Sequence, residues 1–340
     1  MADDAYKVLA SRLGYANSPY LRRVLQVLMN PKEAEVAASS PAPAPELAAK
    51  LKITEQQVNK IVQDLYLKGI LFPTSKGYFF ARNTTQLHDA TESDPRWDSV
   101  YGQKLFDAFE EFCQKEWYEN MARERVAAAV KRSRVMPFYK SLPNIPGVLP
   151  CEDIRAVLKE ASVISVVPCP CRRQTRHCEK SVNNCIQIDR AAEYAIKRGT
   201  GPNLSYKEAM AIVDQCEEEG LVYRVPNRRT NLANICTCCG DDCIAFLAYK
   251  KIGRLHDGDA PSRFEAQNTQ ELCDGCQDCI ERCEYDAITM VKVPGFKKMK
   301  AQVDPAKCFG CGACVVKCEP QALKLKMVRP PEFIPIEAAA

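Results

Sequence analysis

Eight of the nineteen cysteines fall into two identical runs, Cys273-x2-Cys276-x2-Cys279-x3-Cys283 and Cys308-x2-Cys311-x2-Cys314-x3-Cys318. Three thiolates on one tight loop suit three corners of a cubane cluster and leave the fourth corner to a ligand from elsewhere. A structural zinc site would instead favour paired Cys-x2-Cys ligands. Every cysteine except Cys113 lies after residue 150. A disulfide scaffold is expected to be small and secreted, whereas this chain has 340 residues and does not open like a secretory leader. Metal ligation in a reducing compartment is therefore the expected chemistry.

Over residues 264–328 the two runs resemble the bacterial two-cluster ferredoxin. In that family the fourth cysteine of each run ligates the other cluster. The resemblance implies that Cys273, Cys276, Cys279 and Cys318 hold one 4Fe-4S cluster, and that Cys308, Cys311, Cys314 and Cys283 hold a second. Residues 286–291 (Asp-Ala-Ile-Thr-Met-Val) match residues 321–326 (Gln-Ala-Leu-Lys-Leu-Lys). Each is expected to be a strand that packs a cluster and pairs with its repeat mate. Gly275, Gly310 and Gly312 would let backbone amides approach the sulfurs. Two departures stand out. The proline that normally follows the fourth cysteine is Glu284 in the first run, and in the second it comes one place late, at Pro320 after Glu319. Carboxylates there would lower cluster potentials.

Eight further cysteines form two groups: Cys169, Cys171, Cys178 and Cys185, then Cys236, Cys238, Cys239 and Cys243. Between them Ser205 and Glu208 form a capping box for a helix running to Gly220, with Ala209, Ile212, Val213 and Cys216 on its apolar side. A helical spacer would fold the groups together. Eight thiolates suit two cubanes, one cluster of higher nuclearity, or one cluster plus zinc. Iron–sulfur is preferred over zinc because a ferredoxin-like segment follows directly and needs an electron partner. Arg172, Arg173 and Arg176 would offset a cluster's negative charge. The region is similar to iron–sulfur proteins with a Cys-x-Cys-Arg run, a Cys-Cys-Gly element and a terminal ferredoxin domain, which implies electron transfer without naming a substrate. Cys113, Cys151 and Cys216 read as structural, with Cys151 in a loop where it could act as a stray ligand. Of His88, His177 and His256, only His177 lies beside a candidate site. The chain has no G-x-G-x-x-G and no P-loop, Gly199-Thr200-Gly201 being only a turn, and no Ser/His/Asp or paired-carboxylate constellation.

The elements that must carry these sites read as α+β and multidomain. Residues 1–95 are expected to form a winged-helix-like domain, 96–165 a helical connecting region, 166–258 the cysteine-rich region, 259–328 a ferredoxin-like (βαβ)2 domain, and 329–340 an extended arm. In the first of these, Thr54 and Gln57 cap a helix with Val58, Ile61, Val62, Leu65 and Tyr66 at helical spacing, stopped by Gly69. Residues 70–72 and 78–80 flank a turn at 73–77. Helix, turn, helix and hairpin over residues 17–83 resemble a winged helix. Its exposed positions Glu55, Gln56, Gln57, Asn59, Lys60, Gln63, Asp64 and Lys68 hold two acids and two bases, which argues against a phosphate-binding stripe. The proline-rich segment 39–45 reads as a linker or loop tip, with a short helix after it from Glu46 to Leu51. Arg22-Arg23 before a short apolar run mimics an export signal, but Leu21, Val24, Leu25 and Leu28 fit an amphipathic helix. In the middle region Trp97, Tyr101, Leu105, Phe106, Phe109 and Phe112 form an aromatic core stripe, and the basic stretch 123–134 reads as a solvated face.

No window approaches the roughly 18 continuous apolar residues of a membrane span, which argues against an integral membrane protein, and with Arg22-Arg23 read as part of an amphipathic helix the expected location is the cytoplasm. A net charge of +4 does not by itself point to nucleic acid. The leading expectation is an electron-transfer subunit that relays electrons through 4Fe-4S clusters to redox protein partners in a larger oxidoreductase complex, rather than a catalyst alone. The alternatives are an iron–sulfur redox-sensing, DNA-binding regulator and a catalytic middle site with an open iron position.

Overall fold

The computed structural model describes residues 2–75 and 77–337. Lys76 of the expected turn and residues 338–340 of the expected arm lie outside them. The chain divides into two compact units, one made of Met1–Trp117, Pro168–His177 and Arg198–Thr200, the other of the remainder. The expected helical connecting region thus contributes to both.

The first unit is largely helical. Helix α1 (Ala2–Arg12) is followed by α2 (Pro19–Leu28), in which Ser18 caps the first turn and Leu21, Val24, Leu25 and Leu28 are buried. The run after Arg22-Arg23 is therefore an amphipathic core helix. Helix α3 (Pro31–Ser39) and α4 (Ala44–Leu51) are separated by only four residues. The proline-rich segment is a tight corner, not a linker, because Ala42 and Ala44 pack against a core of Val36, Leu47, Ala48 and Val58. Helix α4 starts two residues earlier than expected, since proline is tolerated in a first helical turn. In α5 (Glu55–Leu67) the expected Thr54–Gln57 capping box is formed, and Val58, Leu65 and Tyr66 are buried. Gly69 ends it at φ +80°, where a Cβ would lie 2.5 Å from the Ala90 carbonyl oxygen. Strands β1 (Leu71–Thr74) and β2 (Gly77–Phe80) form an antiparallel hairpin in which Leu71 faces Phe80. Helices α6 (Thr84–Glu92), α7 (Asp98–Tyr101) and α8 (Gln103–Phe112) follow, with Leu105, Phe106, Phe109 and Phe112 of α8 buried.

The second unit opens with α9 (Tyr118–Ala127), β3 (Ser133–Met136), α10 (Ile154–Glu160) and β4 (Ile164–Val167). The chain then contributes α11 (Pro170–Thr175) to the first unit and returns as β5 (Cys185–Ile188). Next come α12 (Arg190–Arg198), β6 (Asn203–Leu204), α13 (Tyr206–Glu219), β7 (Val222–Pro226), β8 (Asn234–Cys238) and α14 (Ile244–Lys251). Strands β3 to β8 form one antiparallel sheet in the order β3-β7-β8-β5-β4-β6. The Ser205–Glu208 capping box is present, and Ala209, Val213 and Cys216 are buried. The basic stretch is not wholly a solvated face. Arg132 pairs with Glu124 at the surface, but Arg134 is fully buried and donates to the Cys151 carbonyl at 2.7 Å.

The C-terminal part runs β9 (Phe264–Asn268), α15 (Asp278–Glu281), β10 (Ile288–Val291), β11 (Lys300–Val303), α16 (Ala313–Lys317) and β12 (Leu323–Met327). The strands do not pair with their repeat mates as expected. Instead β10 pairs with β11 and β12 with β9, all antiparallel. Each pair joins the strand that leaves one cysteine run to the strand that enters the other, so the two runs interlock. The arm is also less extended than expected. Arg229 donates from Nε to the Ile334 carbonyl at 2.9 Å and from Nη2 to the Pro331 carbonyl at 2.6 Å. Ile334 is thereby buried on its own chain, leaving Ile336 exposed.

Candidate metal centres

The interlocked strands bring the cysteine runs together in two cavities. One has Cys273, Cys276, Cys279 and Cys318 in its wall. The other has Cys283, Cys308, Cys311 and Cys314. Each wall takes three cysteines from one run and the fourth from the other. Apolar residues complete both, including Met290, Ala301 and Leu323 around the first and Ala266, Ile288 and Val303 around the second.

Backbone geometry explains why these loops need their glycines. Gly275 and Gly310 have φ of +77° and +63°, and a Cβ on either would lie 2.6 Å from the Met299 carbonyl oxygen or 2.1 Å from that of Phe264. Asp286 and Gln321, at φ +51° and +53°, turn the chain after each run in the same way. Backbone amides reach the sulfurs from Ala301 to Cys273 at 3.5 Å, from Ala266 to Cys308 at 3.4 Å, and from Ala287 to Cys283 at 3.4 Å. Burial pushes the thiols of Cys283, Cys308, Cys311 and Cys314 up, and that of Cys279 up to about 11, with neighbouring cysteines adding to the rise at all but Cys308, where Glu265 does so. Such sites hold thiolates only when a cation shares the space. The donor set and the cavities fit cubane clusters.

The sites differ in exposure. Cys276 is exposed, and Leu272 and Met299 beside it are 48% and 50% exposed. Cys311 and Cys314 are buried, and the Cys311 carbonyl accepts the Phe138 amide at 2.9 Å.

Of the middle cysteines, Cys169 and Cys171 sit at the start of α11 in the first unit, the other six in the second. In the second unit the sheet, not a helical spacer, joins the two sequence groups. Strands β5 and β8 pair with Ile186 opposite Ile235, so Cys185 and Cys236 are the next residues across. Cys236 hydrogen-bonds with Cys185 and Cys238, and Cys238 also with Cys243. Cys239 lies apart from these, 3.8 Å from the Cys178 sulfur and 3.7 Å from Oδ2 of Asp242. Cys178, Cys239 and Asp242 are close enough together to hold one ion. Burial, with help from Asp242, pushes the Cys178 thiol up to about 12. Asp242 carried no motif and escaped the sequence reading.

Helix α11 is fixed by its arginines and Gln174. Arg173 forms a double contact with Asp98 at 2.5 and 2.7 Å and donates to the Glu92 carbonyl at 2.6 Å, so it is committed to the fold rather than offered to a cluster. Gln174 meets His88 Nε2 at 3.0 Å and donates to Glu110 at 2.5 Å and to the Cys113 sulfur at 3.7 Å. His88 and Cys113 are thus buried struts. His256 contacts the Tyr285 carbonyl oxygen through Nε2 at 2.7 Å. Cys151 and Cys216 are buried thiols, as expected of structural residues.

Glu284 is the residue whose role was least expected. Its Oε2 accepts the Gly240 amide at 2.8 Å and its Oε1 lies 3.3 Å from Lys180 Nζ. It ties the end of the first cysteine run to the loops after Cys239 and Cys178. Such use explains why a carboxylate stands where the ferredoxin pattern has proline.

No helix among the described residues is long and apolar enough to cross a membrane. A search of the curated proteins found no match to the chain. Residues 272–322 match the family model of the 4Fe-4S dicluster domain. That segment contains both cysteine runs and most of the walls of both cavities, and it assigns the C-terminal part of the chain the chemistry of iron–sulfur electron transfer.

Proposed function

We propose that this chain is an electron-transfer subunit of a larger cytoplasmic oxidoreductase complex. The observation that carries the reading is the pair of cavities, each walled by three cysteines of one run and one of the other. Cys273, Cys276, Cys279 and Cys318 would hold one 4Fe-4S cluster, and Cys308, Cys311, Cys314 and Cys283 the second. When bound, the clusters supply one-electron chemistry. The chain's part is to exclude water, to aim amides at the sulfurs, and to leave one site near the surface. The exposed side chains of Leu272 and Met299 beside Cys276 suit a surface that meets a redox partner.

The three helices and hairpin of residues 31–80 support the winged-helix-like reading, and we assign that domain to docking rather than to DNA. On α5, Lys68 is drawn off the exposed face into a 2.7 Å ion pair with Glu33, which leaves Lys60 as the base offered to a phosphate backbone. A DNA-binding regulator would need a basic face.

Anaerobic purification from the native source tests the reading. At least eight irons per chain, with matching sulfide and co-purifying redox subunits, is the expected result. Fewer irons, or a purely monomeric preparation, counts against it. Docking is tested by substituting Gln56, Asn59 and Lys60 with glutamate in the full chain. A truncation at residue 95 would cut through contacts that Arg173 makes with Glu92 and Asp98. Loss of the complex with iron retained is expected, and sequence-specific DNA binding would favour the regulator.

A further inference from the structure

We infer that Cys185, Cys236, Cys238 and Cys243 form a separate four-thiolate site for an iron–sulfur cluster, and that the adjacent pair Cys238-Cys239 is divided between this site and the one that holds Cys178. The inference rests on the reading that the chain binds iron–sulfur clusters, and it adds a third site with named ligands.

The division follows from strand geometry. Side chains two apart on a strand share a face and consecutive ones point to opposite faces. In β8, Cys236 and Cys238 share a face, and Cys185 stands across from Cys236 on β5. Cys243 is the cap residue of α14, so its thiol sits at the positive end of that helix, which favours a thiolate. These are the four sulfurs that hydrogen-bond in a chain. Cys239, one residue on, makes its contacts with Cys178 and Asp242 instead.

The surroundings suit a charged thiolate site. Arg224 stands opposite Cys236 in the β7–β8 register and feels the charges of Cys238 and Cys243. It is buried and held by Asp259 at 2.6 and 2.8 Å, with Tyr249 donating to the same carboxylate at 3.2 Å. Tyr285 stacks on Phe309 at 4.1 Å, and both line the wall of the Cys311 cavity.

Elemental analysis and low-temperature EPR on the full chain, prepared anaerobically, test this. Cys236→Ala should lose about four irons and keep the signals of the two ferredoxin-type clusters, while Cys276→Ala should lose a different set of about four. Cys185→Ala, at the far strand, should reproduce the Cys236→Ala loss if the latter fails to fold. Unchanged iron in both Cys236→Ala and Cys185→Ala, or loss of one zinc instead of iron, overturns the proposal. Unchanged iron in Cys276→Ala would instead overturn the ferredoxin reading on which it rests.

Discussion

The amide of Ala301 points at the sulfur of Cys273 at 3.5 Å, and 35 residues earlier the amide of Ala266 points at the sulfur of Cys308 at 3.4 Å. The relationship is reciprocal: the strand that enters each run serves the first cysteine of the other. Hydrogen bonds to ligating sulfurs stabilise the reduced, more negative cluster. Ala301→Pro removes one donor and should make the potential of the Cys273 site more negative while leaving the Cys308 site unchanged. Redox titration followed by EPR reads this directly, and equal shifts at both sites would refute the reciprocal arrangement.

The glycine requirement is equally specific. Gly310→Ala would place a Cβ 2.1 Å from the Phe264 carbonyl at positive φ, so the loop must move and its cavity should lose about four irons. Gly253→Ala, also at positive φ but with nothing within 4 Å, should keep all iron and cost about 1 kcal/mol in stability. Iron content and thermal denaturation of the pair separate a close approach from mere backbone preference.

Much of this site is legible in the sequence because ferredoxin spacing is covalent: x2, x2, x3 already fixes which thiols share a loop. Strand pairing is not legible, since residues 286–291 and 321–326 look alike and likeness between repeats does not make them neighbours. The observed pairing of β10 with β11 depends on where residues 292–299 turn back, which no local pattern announces. The middle cysteines are legible as ligands, but the spacing does not say which of them stand together, because that depends on β5 lying beside β8. The capping boxes at Thr54 and Ser205 were legible, being contained within four residues.

Glu284 offers a test of the link between regions. Glu284→Ala leaves the Gly240 amide without its acceptor and Lys180 without its partner, at a cost of about 1–3 kcal/mol. The ferredoxin-type signals should persist, while the Gly240 amide exchanges faster in hydrogen-exchange measurements. Unaltered exchange at Gly240 would show that Glu284 does not hold this loop.

Glu217 predicts a pH dependence. Burial pushes its carboxyl up to about 7 from an ordinary value of 4.5, even though the amides of Tyr139 and Lys140 favour the ion. Between those values the folded chain holds a proton that the unfolded chain has released, so stability falls as pH rises through this window and then levels off. The loss is on the order of 1–3 kcal/mol. Anaerobic melting curves from pH 5 to pH 8 should show a decline that Glu217→Gln reduces. An identical decline in the variant would assign it to other groups.

The unequal cover over the two cavities also decides how the molecule wears out. Cys276 stands at the surface, whereas Cys311, its counterpart 35 residues on, is walled in. Dioxygen and peroxide therefore arrive at one end first. A sample left briefly in air should corrode in sequence, bleaching the signal tied to Cys276 while the inner one survives.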